Sequence, residues 1–188
     1  MAMKLLLENW RKYINEIGDA SAESYPFKVT NQSTGGGMRL VTYGFSSEGF
    51  LYHVVFALFL GGTKEDSTWV IDFEAAEVSP SVGAITTGMF PGVYSKKMTG
   101  EGRPLRIMST IVNIVKDFVG NPQLNEGILH FRFTGMPKLD AVDAYSGKET
   151  QRTRLYRAFL EKNMPPGTEI EEVGNNVIAF TVPEGAER

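Results

Sequence analysis

The stretch from Lys97 to Val119 constrains the fold most, because a glycine turn there runs directly into a long apolar helix. The turn reads Gly100-x-Gly102, and Pro104 follows where a first helical turn tolerates a missing N–H. Apolar side chains then recur over a wide arc, at Leu105, Ile107, Met108, Ile111, Val112, Ile114, Val115, Phe118 and Val119. A helix this apolar packs on a sheet. The sequence therefore predicts a central buried helix over residues 104–119.

The beginning of this helix is a candidate anion site. Its first N–H groups have no partner within the helix, and the helix dipole makes this end positive. Phosphate groups bind at such helix ends. The alternative is that Gly100-x-Gly102 is only a tight turn before a helix.

Composition limits the classes of function. The chain has 188 residues, of which 42% are hydrophobic and 22% charged, which suits one globular domain, with or without an arm. The net charge is −3, so nucleic acid is not an expected partner. There is no cysteine, which excludes disulfides, thiolate metal sites and cysteine nucleophiles. With His53 and His130 as the only histidines, no metal site is expected.

No segment suggests a membrane or a secretory pathway. The longest apolar run, residues 51–60, is too short to span a bilayer. The N-terminus lacks a small-residue cleavage site after an apolar core. We therefore expect a cytoplasmic protein without a membrane partner.

Residues 3–17 are predicted to form an amphipathic N-terminal helix, which would dock on a face or an edge of the sheet. Its apolar side chains, Leu6, Trp10, Tyr13, Ile14 and Ile17, recur at helical spacing. Gly18 ends the pattern, and residues 18–37 are rich in Ser, Asn, Thr and Gly, as in a flexible linker. The main domain is then expected over residues 38–183.

The main domain is predicted to be α+β, with a mostly antiparallel sheet flanked by helices. Residues 38–45, 50–60 and 68–76 have strand patterns and are expected to form an antiparallel meander. Residues 78–92 form an irregular connection to a strand at 93–98. That strand, the helix and a strand at 127–134 make a crossover unit, so the two strands should be parallel.

The C-terminal part is predicted to be a helix followed by a hairpin. Residues 149–163 have a helical pattern with Leu155 and Phe159 inward, and Pro165-Pro166-Gly167 stops it. Residues 168–173 and 177–182 then flank Gly174-Asn175-Asn176 as a β-hairpin.

This order of elements resembles the GNAT family of N-acetyltransferases, which carries Arg or Gln, two residues, then Gly-x-Gly before its buried helix. Here Lys97 stands where the family has Arg or Gln, followed by Met98, Thr99, Gly100, Glu101 and Gly102. The family's later helix often carries Leu-Tyr, matched by Leu155-Tyr156. The resemblance covers roughly residues 38–182 as topology and two short motifs as sequence.

The resemblance implies a cofactor and a set of site residues. The cofactor would be acetyl-coenzyme A, with its pyrophosphate held by Lys97, Thr99, Gly100, Gly102 and Arg103. Tyr156 would protonate the departing thiolate. A base would take a proton from the acceptor amine. Asp72, Glu74 and Glu77 are the nearest acidic residues, and Glu74 is our candidate; alternatively, Tyr156 is a core residue and Glu74 faces solvent.

A narrower resemblance points to small GNAT-like proteins of tailed phages, which carry no settled activity. It rests on Thr99, the glycine turn, residues 107–110, Asp117-Phe118, and Arg152 with Leu155-Tyr156. The N-terminal segment also resembles capsid-targeting peptides of phage internal head proteins, which are cut after Leu or Ile, any residue, then Glu; Ile14-Asn15-Glu16 fits that triplet.

Three hypotheses follow for the function. The chain binds acyl-coenzyme A and transfers an acetyl group to an amine, it is a non-catalytic virion or internal head protein, or it inhibits a host protein by surface contact. The location would be the host cytoplasm or the virion.

Overall fold

The computed structural model describes residues 23–47, 50–62, 67–77, 104–134, 151–173 and 177–185. These residues form a mixed α+β fold, which confirms the predicted class. In chain order its elements are β1 (Lys28–Gly35), β2 (Met38–Ser47), β3 (Phe50–Phe59), β4 (Trp69–Glu77), α1 (Pro104–Val119), α2 (Pro122–Asn125), β5 (His130–Thr134), α3 (Gln151–Asn163), β6 (Glu169–Glu172) and β7 (Val177–Thr181). The predicted N-terminal helix over 3–17, the connection 78–92 and the strand 93–98 lie outside the described residues.

The strands form one seven-stranded sheet in the order β1-β2-β3-β4-β5-β7-β6. Strands β1 to β4 are an antiparallel meander, which confirms the prediction for β2, β3 and β4. The pair β4–β5 is parallel, and α1 lies between these strands in the chain. Strand β7 is antiparallel to both β5 and β6, which confirms the predicted C-terminal hairpin. The sheet is thus mostly antiparallel, as predicted.

The predicted linker over residues 18–37 is wrong for residues 28–35, which form β1. This strand lies at the edge of the sheet, and Val29 is its only side chain that is even partly buried. Backbone hydrogen bonds to β2 hold this edge strand in place, so it does not need an alternating apolar pattern. Its polar sequence therefore resembles that of a loop. Just before it, Tyr25 and Phe27 pack against the core.

The described parallel neighbour of β5 is β4, which comes earlier in the chain than the predicted strand 93–98. Residues 131–133 pair with β4 on one edge and with β7 on the other. The predicted strand 93–98 lies outside the described residues, so its parallel orientation to residues 127–134 stays a prediction.

Helix α1 covers one face of the sheet, which we call the first face. Phe118 lies at the centre of the contact, because its ring stacks on Phe56 at 3.8 Å between centroids and meets Trp69 and Tyr43 edge-on. The buried first-face residues alternate along the strands: Val41, Tyr43, Phe45, Tyr52, Val54, Phe56, Leu58, Trp69, Ile71, Phe131, Phe133, Ile178 and Phe180. The predicted buried helix over 104–119 is confirmed.

The connection from α1 to β5 is fixed by Asn125, which is fully buried in α2. Its Nδ2 donates to the carbonyl oxygens of Phe118 and Val119, each at 2.9 Å, which gives partners to two carbonyls at the end of α1. Its Oδ1 accepts from Gly127 N, and its main-chain oxygen accepts from Trp69 Nε1. The sequence pattern did not predict α2.

Helix α3 packs against the same core. Phe159, predicted to face inward, is buried together with Leu160 in the cluster that α1 forms with the first face. The side chain of Leu155 lies outside the described residues. Arg157 pairs with Glu172 of β6, which ties α3 to the C-terminal hairpin.

Candidate functional site

Strands β4 and β5 form the parallel pair of the sheet, and their described pairing covers Trp69 to Ile71 with Phe131 to Phe133. Strand β4 continues to Glu77, still paired with β3, whereas the described part of β5 ends at Thr134, which pairs with β7. Within the described residues, no strand pairs with the β5-facing edge of β4 over residues 72–77. We call this described edge the opening between β4 and β5.

The first residues of β4 past the parallel pairing are Asp72 and Phe73. The N–H of Phe73 donates to Oδ1 of Asp72 at 2.8 Å, so a carboxylate supplies an acceptor to a strand amide at the opening. Asp72 is half-buried. Asp72 was one of the three acidic residues considered as the base. Its hydrogen bond with the Phe73 N–H could not be predicted from the sequence.

The first turns of α1 lie at the same end of the sheet as the opening. Tyr25 donates its N–H to Thr110 Oγ1 of α1, and its ring stacks on Phe45. The stack continues across the first face from Phe45 to Tyr52 and from Tyr52 to Phe73, with rings 8° and 11° from parallel. A continuous row of packed rings therefore runs from Tyr25, which is bonded to Thr110 of α1, to Phe73 of β4.

Arg106 brings a positive charge to this end of α1. Its guanidinium carbon lies 4.2 Å from the centre of the Tyr25 ring, a cation–π contact. Its Nη2 lies 3.7 Å from Glu23 Oε2, but the Glu23 side chain is 87% exposed, so this ion pair is weak. Arg106 is a side chain that the sequence analysis missed. The signal was present, because a basic residue in a first helical turn without acidic neighbours opposes the helix dipole.

Two buried polar atoms at this end of the sheet have no hydrogen-bond partner within the described part of the chain. They are Arg106 Nε and Ser47 Oγ, and Ser47 is only 6% exposed. Ser47 follows Phe45 by two residues on β2, so it lies on the same face and further towards the same end. Unmet hydrogen-bonding capacity of this kind is uncommon in buried positions.

The contacts of the site residues that were predicted from the sequence are not part of the described structure. Lys97, Thr99, Gly100, Gly102 and Arg103 lie outside the described residues. Glu74 lies in β4 opposite His53 of β3, and Tyr156 lies in α3. The side chains of Glu74 and Tyr156 are outside the described part, so their contacts stay predictions.

Comparison of the chain with protein-family models, curated proteins and solved structures gave no significant match. Within the described ranges, no helix has both the length and the hydrophobicity to cross a membrane. The same ranges contain no cluster of His, Asp and Glu side chains arranged to hold a metal ion.

The two histidines have different surroundings. His53 is half-buried in β3, and burial lowers the pKa of its imidazole. His130 is exposed at the start of β5, and its Nδ1 lies 3.0 Å from Thr181 Oγ1. His130 is therefore a surface residue of the sheet and not part of the core.

Among the described residues, Tyr43 has the pKa that departs furthest from its usual value. Burial, together with a 2.6 Å hydrogen bond to Asp117, raises the pKa of its hydroxyl. Tyr43 lies beside Phe118, in the middle of the first face and away from the opening, so we assign it to the packing of α1.

Proposed function

We propose that the chain is a GNAT-fold protein of the tailed-phage type that binds acyl-coenzyme A and transfers an acetyl group to an amine. The cofactor would enter the opening between β4 and β5, with its pyrophosphate at the start of α1. Lys97, Thr99, Gly100, Gly102 and Arg103 would hold the pyrophosphate. Tyr156 would act as the acid and Glu74 as the base.

The observation that carries the proposal is the edge of β4 over residues 72–77, which has no strand paired with it among the described residues, at the same end of the sheet as the first turns of α1. Strand N–H and C=O groups along such an edge would be available to a ligand. A helix N-terminus at that end of the sheet favours negative charge. An acyl thioester on a pyrophosphate-containing carrier matches both features, because its acyl arm is linear and its phosphates are anionic.

The charge at the start of α1 supports an anionic ligand. Arg106 stands at the positive end of α1, which is unfavourable for a cation without an anion nearby. Its only described carboxylate partner, Glu23, is largely exposed and 3.7 Å away. The unpartnered Nε of Arg106 adds a donor that a phosphate oxygen would satisfy.

The order of elements supports the family part of the proposal. The chain has the order of elements that suggested the GNAT family. This order is an antiparallel meander, a crossover helix, a strand, a second helix and a final strand pair. The phage type, and with it a location in the host cytoplasm or the virion, rests on the sequence resemblance alone.

Calorimetric titration with acetyl-coenzyme A tests the binding step. We expect micromolar affinity for the unmodified chain and its loss in Gly100→Glu, which adds a bulky carboxylate to the glycine turn. Gly35→Glu is the matched control, because Gly35 is exposed at the end of β1 and an added Cβ there meets nothing within 4 Å. Absence of binding at millimolar ligand would sink the proposal and favour a non-catalytic virion protein or an inhibitor.

Transfer is tested separately by release of the coenzyme A thiol in the presence of primary amines. The chain has no cysteine, so a thiol reagent detects only the product. Tyr156→Phe should slow the release by about 100-fold, the usual contribution of a positioned acid. Unchanged release in Tyr156→Phe would exclude this role for Tyr156.

A further inference from the structure

Tyr25 is fixed from two sides at the end of the sheet where α1 begins. Its N–H donates to Thr110 Oγ1 at 2.8 Å, and that hydroxyl donates to the main-chain oxygen of Arg106 at 2.7 Å. The ring of Tyr25 stacks on Phe45, with 6.1 Å between the centroids and 13° between the planes. The helix therefore fixes the main chain of Tyr25, and the sheet fixes its ring.

The fixed ring carries the guanidinium of Arg106, whose central carbon lies 4.2 Å from the ring centre. A cation–π contact uses the face of the ring and takes up none of the N–H donors of the guanidinium. The described polar partners of Arg106 Nη2 are at long distances, 3.5 Å for Ser24 O and 3.7 Å for Glu23 Oε2, and the buried Nε has no partner. Tyr25 thus holds the charge in place while donors of Arg106 remain available.

Helix α1 runs in the opposite direction to β2 across the first face. Near the end of α1, Asp117 accepts a hydrogen bond of 2.6 Å from Tyr43 of β2. Earlier on α1, Thr110 bonds Tyr25, whose ring lies on Phe45, further along β2. The residues of α1 that precede Thr110 therefore lie towards the end of β2 that follows Phe45.

Ser47 lies at this end of β2, on the first face. It is about 7 Å beyond Phe45 along the strand, and Arg106 is about 6 Å from Thr110 along the helix. Ser47 is only 6% exposed, and its Oγ has no hydrogen-bond partner in the described part of the chain. A buried hydroxyl that faces the side of α1 and a buried donor on α1 thus lie at a similar level, both with unused hydrogen-bonding capacity.

We propose that Tyr25 is a positioning residue for anion binding: its ring orients Arg106 so that the free N–H donors meet a phosphate group on the side where Ser47 lies. The inference rests on the proposed function, since the phosphate would belong to the pyrophosphate of acyl-coenzyme A. The charge is consistent with this role. A cation in the first turn of α1, where no acidic residue accompanies it, opposes the helix dipole until an anion is bound.

Calorimetric titration with inorganic pyrophosphate tests the role of Tyr25, because this probe has no acyl arm. Tyr25→Leu should weaken binding about fivefold to tenfold, which is the range of a partly buried cation–π contact. Tyr25→Phe keeps the ring and should bind like the unmodified chain. Phe27→Leu is the matched control, because the ring of Phe27 lies on Tyr43 instead, and its affinity should be unchanged.

A double-variant cycle separates positioning from general support of the fold. Arg106→Gln alone should lower the pyrophosphate affinity about tenfold or more, because it removes a charged donor. Adding Tyr25→Leu should then lower it no further, since the guanidinium that the ring orients is gone. A further loss in the Arg106→Gln background would overturn the inference, and so would absence of binding to the unmodified chain at millimolar pyrophosphate.

The same titrations distinguish this inference from the proposed function. Pyrophosphate binding that follows the cycle, without binding of acetyl-coenzyme A, would support the role of Tyr25 and contradict the proposed ligand. Equal pyrophosphate affinity of the unmodified chain and Tyr25→Leu, with acetyl-coenzyme A still bound, would overturn the role of Tyr25 alone.

Discussion

Gly44 of β2 lies directly against Thr30 of β1 and His53 of β3. A Cβ at this position would be 2.8 Å from Thr30 Cγ2, closer than carbon atoms approach, and 3.6 Å from His53 Cδ2. Thr30 cannot easily move away, because it is β-branched and its hydroxyl donates to the Thr42 carbonyl at 3.2 Å. Glycine at residue 44 is therefore required by close packing of side chains between two neighbouring strands.

We predict that Gly44→Ala lowers the free energy of unfolding by about 1 to 2 kcal/mol. Overpacking against Thr30 destabilises the folded state, and the lower conformational entropy of the unfolded chain with alanine offsets only part of this loss. Thr30→Ser removes Cγ2 and keeps the hydroxyl, so the double variant should regain most of the loss. Thr30→Ser alone is the control, with a change within about 0.5 kcal/mol. Denaturant unfolding measures all of these variants, and an equal loss with and without Thr30→Ser would contradict the account.

The residues of the candidate site divide into those that the sequence indicates and those that only the fold brings together. The glycine turn before α1 is a local pattern, so its anion-binding potential could be predicted from sequence. Ser47, Asp72 and Arg106 are on three different elements, and no spacing in the sequence relates them. Their common position at one end of the sheet depends on strand pairing, which single-sequence patterns do not specify.

Among the secondary-structure elements, those with a strong apolar period were predicted within a few residues. The apolar patterns of β3 and α1 are long, and each predicts the same strand or helix that the packed fold contains. Strand β1 was missed because an edge strand depends on backbone pairing, and α2 because a helix of four residues has no period. The pairing of β5 with β4 was not predicted, because the order of strands along the chain does not give their order in the sheet.

The end of α1 provides a test of how the crossover is fixed. Asn125→Asp keeps the shape of the side chain but replaces the Nδ2 donor, which serves Phe118 and Val119, by an oxygen facing two carbonyl oxygens. We predict that the free energy of unfolding falls by about 2 to 4 kcal/mol at neutral pH, because a buried charge and two carbonyls lose their partners.

The pH dependence of this variant has a definite sign. Burial beside carbonyl oxygens should raise the pKa of the new carboxyl group above its unfolded value. The penalty relative to the unmodified chain should therefore grow as pH rises above the unfolded pKa and shrink at lower pH, where the protonated group can donate again. Asn121→Asp is the matched control: residue 121 caps α2 by accepting from Gln123 N, which a carboxylate does equally well. A similar loss for both variants would contradict the assignment.

At the scale of the whole molecule, the start of α1 and the unpaired edge of β4 lie at the same end of the sheet within the described residues. Stacked rings connect them across the first face, from Tyr25 through Phe45 and Tyr52 to Phe73. A ligand that needs both features would therefore lie along this end of the sheet.

The most direct test of the central claim is an NMR titration of the isotope-labelled full chain with acetyl-coenzyme A, followed at backbone amides. The account predicts that the amides of residues 72–77 in β4 and 106–110 in α1 shift with ligand, while those of β1 at the far edge of the sheet do not. Shifts confined to other elements, or no shifts at millimolar ligand, would contradict a ligand site between β4 and β5.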